Sequence, residues 1–135
     1  MAGSEVDFLV GQKIVQIRYP GLRLVFDEGD RVEPALYADL SEFTLSRGGV
    51  EEKVDASDPA TIEPLLRLVG KTVNATETPD DASLELTFSD GTRLRCEAHE
   101  RYEAWQVVGG APQYLVVSVG PGKLSVYEGP SEPLG

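Results

Sequence analysis

A mainly β domain of the α+β class is what this sequence predicts: antiparallel sheet built from two repeated β-hairpin units, with one or two short helices. The first observation behind it is an internal repeat. Leu9-Val10-Gly11-Gln12-Lys13-Ile14-Val15, followed by Leu22-Arg23-Leu24-Val25-Phe26-Asp27-Glu28-Gly29, returns as Leu68-Val69-Gly70-Lys71-Thr72-Val73-Asn74, followed by Leu84-Glu85-Leu86-Thr87-Phe88-Ser89-Asp90-Gly91. The copies cover approximately residues 9–33 and 68–95. The second observation is a period of two: Leu22, Leu24 and Phe26, and again Leu84, Leu86 and Phe88, alternate with other residues, the mark of a strand with one buried face. The third is turn chemistry, since Glu28-Gly29 and Asp90-Gly91 supply the positive φ that a short hairpin turn demands.

Each copy reads as strand, turn, strand, tight turn, strand. Eighteen residues separate Gly11 from Gly29 and twenty-one separate Gly70 from Gly91. The extra residues fall around Thr78-Pro79-Asp80-Asp81, a polar stretch where insertion costs least. Between the copies the signals are weaker. Residues 42–46 fit a strand, Arg47-Gly48-Gly49 a turn, and residues 51–55 a solvated loop or edge strand. Ser57 or Asp58 can cap a helix that has Pro59 in its first turn and Ile62, Leu65, Leu66 and Val69 on one face. Pro64 is awkward inside that helix and fits better as the start of a shorter one, with Gly70 as its stop.

In the strand after the second hairpin turn, Leu94 and Cys96 should point inward and Arg93, Arg95 and Glu97 outward. Residues 114–119 compose a well-buried strand, Gly120-Pro121-Gly122 a turn and residues 124–127 the last strand. Residues 129–135 read as a frayed tail. The expected result is a single domain, residues 1–135, of seven to nine strands, its two half-sheets related by a pseudo-twofold axis.

Composition narrows the function classes. The 135 residues are 41% hydrophobic and 26% charged, the balance of one globular domain. Fourteen glycines and nine prolines exclude a coiled coil. No apolar run approaches the roughly 18–20 residues that span a bilayer. The start shows no basic region followed by an apolar stretch, and a lone Cys96 excludes an internal disulfide, so a cytoplasmic location is expected. The net charge of −11 argues against nucleic acid and against an anionic membrane surface. It favours a basic protein as partner.

The chemical candidates are few. Cys96-Glu97-Ala98-His99 has half of a zinc spacing and no second pair, so neither a metal nor a cofactor is expected. A Cys96–His99 nucleophilic pair would need side chains that a three-residue offset on a strand sends to opposite faces. Cys96 reads instead as a small buried apolar residue. There is no phosphate-binding glycine loop and no nucleophile elbow. The most distinctive stretch is residues 97–105. Tyr102 and Trp105 lie three apart, on one side of a helical turn, and Glu97, Glu100 and Glu103 surround them. They read either as an aromatic anchor for a basic partner or as a core cap in which the Trp105 N–H bonds a carbonyl.

The pattern Leu84, Leu86, Phe88, Asp90, Gly91, Leu94, then Tyr102-Glu103-Ala104-Trp105, then Pro121-Gly122 and a short last strand, resembles an uncharacterised, mostly actinobacterial family of unknown function. The resemblance runs from Leu9 to Tyr127 and is strongest from Leu68 onward. The chain departs from the family pattern at residues 97–101, so His99 has no family weight, and at Tyr127, where tryptophan is usual. The resemblance implies a small cytoplasmic bacterial domain and brings no activity or catalytic residue.

The expected function is a non-enzymatic protein-interaction module of inhibitor or immunity type, with Tyr102, Glu103, Trp105, Glu97 and Glu100 as binding residues. The alternative is a small-ligand-binding β domain with a cleft between the two repeat halves, lined by Tyr102, Trp105 and Tyr114. An enzyme pairing His99 with Glu97 or Glu100 ranks last. A homodimer through an edge strand is compatible with either of the first two.

Overall fold

The computed structural model describes residues 5–19, 22–27, 36–109 and 114–128. The turn Glu28-Gly29 and the tail 129–135 lie outside the described residues. Eleven strands are present among those described: β1 (Gln16–Arg18), β2 (Arg23–Asp27), β3 (Leu36–Leu40), β4 (Glu42–Arg47), β5 (Val50–Asp55), β6 (Val73–Glu77), β7 (Leu84–Phe88), β8 (Arg93–Cys96), β9 (Trp105–Gly109), β10 (Tyr114–Gly120) and β11 (Lys123–Glu128). They form two antiparallel sheets, one in the order β1-β2-β3-β9-β10-β11 and the other β5-β4-β8-β7-β6. The mainly β prediction holds. The count exceeds seven to nine because β1 has three residues and β3 lies in the weakly patterned stretch between the copies.

Alternation decides which side chains enter the core. Leu84, Leu86 and Phe88 are buried, as are Leu94 and Cys96, while Arg93 and Glu97 are exposed. Leu24 and Phe26 of the first sheet and Phe43, Leu45 and Val54 of the second join the same core cluster.

The helical face is corrected. A 3-10 turn, Pro59–Thr61, is capped by Asp58, whose carboxylate accepts from Ala60 N, and a single-turn helix α1 (Glu63–Leu66) has Pro64 as its second residue. Leu65 and Leu68 are buried, but Leu66 and Val69 are 56% and 45% exposed. One turn is too short to present the longer stripe, so Leu65 and Leu68, three apart, enter the core, with Ile62 of the expected stripe packed against it. Its counterpart in the first copy is a 3-10 turn, Asp7–Leu9, which buries Val6 and Leu9 in the same way.

The two copies meet at a symmetric seam. Lys13 pairs antiparallel with Thr72, its own counterpart in the repeat. Gly11 N donates to Val73 O at 2.8 Å and Gly70 N to Ile14 O at 2.7 Å; Val73 N donates to Gln12 O at 2.8 Å and Ile14 N to Lys71 O at 3.0 Å. Each bond of one half has its twin in the other. Gly11 and Gly70 hold φ of +88° and +89° with open space where a Cβ would stand. Replacing either by alanine should therefore cost only left-handed strain, about 1–2 kcal/mol and equal at the two sites. Chemical denaturation of Gly11→Ala and Gly70→Ala checks this, and a loss at only one of them would break the symmetry argument.

Beyond the seam the halves exchange strands. β1–β3 lie in the first sheet, and the chain then crosses at Ser41 to lay β4 and β5 in the second. β6–β8 lie in the second sheet, and residues 97–104 cross back to lay β9 and β10 in the first. Thus β9 pairs with β3 and β4 with β8, each hairpin completing the other half's sheet. Neither half keeps its own sheet to itself, in contrast to the simple half-sheets read from the sequence.

Candidate functional site

The returning crossover, residues 97–104, carries most of the site residues expected from the sequence. Its end is pinned to the other crossover. Ser41 donates to Ala104 O from its backbone N at 3.1 Å and its hydroxyl at 2.9 Å. The Cys96 thiol donates to Glu42 O at 3.3 Å. The crossover is therefore a fixed connector between two sheets, the kind of position that can hold a binding group still.

On it, the His99 and Tyr102 rings stack with centroids 3.8 Å apart and planes at 13°. Arg101 N donates to His99 Nδ1 at 3.1 Å, orienting the imidazole. Tyr102 remains 45% exposed. Glu97, Glu100 and Glu103, on the same crossover, are exposed. Arg95 Nε lies 3.5 Å from Glu97, whereas Glu100 and Glu103 make no ion pair among the described residues. A shallow cleft of about 210 Å³ opens beside the stacked rings, with Ser41, Glu42, Thr44 and Lys53 on its other wall.

Trp105 does not belong to this surface. It is 1% exposed at the start of β9, and its Nε1 donates to Ala82 O at 3.0 Å. The expected aromatic pair on a helical turn is thus corrected: a bend and then a strand send Tyr102 outward and Trp105 into the core. The residue that stacks on Tyr102 is His99, for which the offset of three was the sole signal. Cys96 is buried, and burial pushes its thiol up to about 12, the reverse of what a nucleophile needs.

Ala82, which receives the indole bond, has φ of +67°, unusual for a residue with a Cβ. Asp81 shapes that loop by accepting from the Ser83 hydroxyl at 2.6 Å and Ser83 N at 3.0 Å. Arg95 bonds Asp81 at 2.8 Å and also pairs with Glu85, which in turn takes Arg93 at 2.9 Å. The Ser83 hydroxyl and N–H, aided by Arg95, hold the Asp81 carboxyl below its ordinary range. A depressed carboxyl stabilises the fold fully above its unfolded pKa of about 3.9 and loses that contribution as pH falls through the folded value. In acid titrations followed by Trp105 fluorescence, Asp81→Asn should flatten the fall in stability below about pH 4. An unchanged acid limb would remove Asp81 from that role.

Among the described residues no group of three or more His, Cys, Asp or Glu is placed to hold a metal. No helix among them is long and apolar enough to cross a membrane.

Fold and site together define a two-sheet antiparallel β domain with an internal repeat and an acidic, aromatic crossover. The chain belongs to a family of unknown function, DUF6188, whose model matches residues 6–128. No curated protein and no solved structure matches the chain.

Proposed function

We propose that this domain is a non-enzymatic interaction module of inhibitor or immunity type that binds a basic protein in the cytoplasm of a bacterium, with the crossover as its contact surface. The carrying observation is the exposed Tyr102 ring, stacked on His99 and sharing with the exposed Glu97, Glu100 and Glu103 a connector pinned at Ala104. A rigid aromatic group flanked by carboxylates suits a Lys- or Arg-rich surface, by apolar contact and by cation–π attraction. The −11 net charge steers such a partner to it.

A small-ligand role between the halves has less support. Trp105 is packed in the core, the side chain of Tyr114 lies outside the described residues, and the 210 Å³ cleft is smaller than the roughly 300–1,000 Å³ of ordinary ligand pockets. Self-association through the outer edge of β11, where Val126 and Tyr127 are exposed, is a separate outcome that the same experiment reads.

The test is affinity capture from the host lysate at about 50 mM and about 500 mM salt, where screening differs severalfold. Wild type is compared with a Glu100→Lys, Glu103→Lys double variant. The expected result is one stoichiometric basic protein, held at low salt by wild type and lost at high salt and in the variant. A partner indifferent to both changes, or recovery of this chain alone, would overturn the reading.

A further inference from the structure

The twofold relation gives positions in one half counterparts in the other, and at one corner the counterparts differ in kind. At the end of β9, a Cβ on Gly109 would fall 2.1 Å from Leu36 Cδ1 and 3.2 Å from Phe8 Cε1. Leu36 and Phe8 therefore fill the corner between the first 3-10 turn, the start of β3 and the end of β9.

The register locates the twin of this corner. Tyr37 pairs with Val108, one residue before Gly109, as Arg93 pairs with Ser46, one residue before Arg47. Phe8 precedes Leu9-Val10-Gly11 as Arg67 precedes Leu68-Val69-Gly70. Gly109, Leu36 and Phe8 thus correspond to Arg47, Thr92 and Arg67.

With those residues the second corner is open. It is a cleft of about 220 Å³ with Leu45, Leu68 and Pro64 among its lining residues, and with Val50, 62% exposed, on its wall. Two ion pairs frame it: Arg47 with Asp90 at 4.0 Å, and Arg67 with Glu52. The arginine side chains are 65% and 62% exposed, and the apolar surface left open in the cleft is that of Val50 and the half-buried Pro64, over Leu45 and Leu68 beneath.

We propose that this cleft receives an aromatic side chain, a phenyl ring on a methylene, presented by a protein partner. The closed corner supplies the argument for that occupant: on the same framework, the molecule itself places a phenylalanine ring beside a leucine. The volume agrees, since a cavity of about 150 Å³ holds a benzene ring. The flanking ion pairs offer two cations and two carboxylates to the backbone of the segment carrying the ring. The cleft adjoins Arg47, at the opposite end of β4 from the crossover, and does not rest on the function proposed above.

The test is an NMR titration of the full chain, labelled with nitrogen-15, against N-acetyl-phenylalaninamide, with N-acetyl-alaninamide as control. Expected are saturable shifts at the amides of Leu45, Val50, Leu68 and Thr92, with a Kd on the order of 1 mM for so small a probe. Arg67→Phe, Thr92→Leu and Arg47→Gly together, which copy the closed corner including the glycine that makes room for its leucine, should abolish them. Arg67→Phe alone changes an exposed position, keeps the fold, and should weaken binding at least about tenfold. Absence of saturable shifts up to about 20 mM, twenty times the expected Kd, would overturn the proposal. So would shifts that survive both filling variants, or shifts equal to those from the alanine control.

Discussion

Trp105→Ala is expected to cost about 3–5 kcal/mol, the largest stability loss among the changes considered. The indole is 1% exposed and sits where β9 enters the first sheet, paired in register with Leu40. Truncation would remove its packing and also leave Ala82 O without its donor. Trp105→Phe separates the two effects. It keeps an aromatic ring, loses the 3.0 Å bond to Ala82 O and leaves a smaller gap than alanine does, so about 1–3 kcal/mol is expected. Ala82 stands at φ +67°, and that bond helps to hold the loop there. Guanidinium denaturation followed by far-UV circular dichroism measures both variants without relying on the tryptophan signal. A loss under about 1 kcal/mol for Trp105→Ala would contradict the packing argument.

Tyr102→Ala is expected to have the largest effect on binding with almost none on stability. Truncating a central aromatic anchor commonly costs about 2 kcal/mol or more, roughly a thirtyfold loss of affinity. The ring is 45% exposed and touches His99 rather than the core, so the fold should change by less than about 0.5 kcal/mol. Tyr102→Phe retains the stacked face and should keep most of the affinity. Surface plasmon resonance against the captured basic partner reads the loss, and repetition at higher salt reads the steering by Glu97, Glu100 and Glu103, which acts mainly on the association rate. Equal affinity for wild type and Tyr102→Ala would move the contact away from the crossover.

The two experiments divide the Tyr102-Glu103-Ala104-Trp105 segment between its roles. Trp105 belongs to folding and Tyr102 to recognition, although they stand three residues apart. The separation arises at Ala104. It is buried, its carbonyl accepts from Ser41, and the strand that begins with Trp105 turns the next side chain inward. The mixed role of the segment explains why its spacing alone reads equally well as an anchor or as a core cap.

By itself the sequence determined the mainly β class, the repeat, the inward set Leu84, Leu86, Phe88, Leu94 and Cys96, and the short helix at Pro64. These follow from local rules, the period of a strand and the φ demanded at turns and caps, which adjacent residues suffice to express. Tertiary structure alone decided that β9 joins β3 while β4 joins β8, that His99 is the partner of Tyr102, and that one corner is filled by Phe8 and Leu36 while its twin stays open. Each of these depends on residues far apart in the chain, brought together by shared burial of two sheet faces and by hydrogen bonds at a seam. A periodic pattern states which face of a strand is buried. It does not state which strand lies beside it, because many pairings bury that face equally well until the whole core closes.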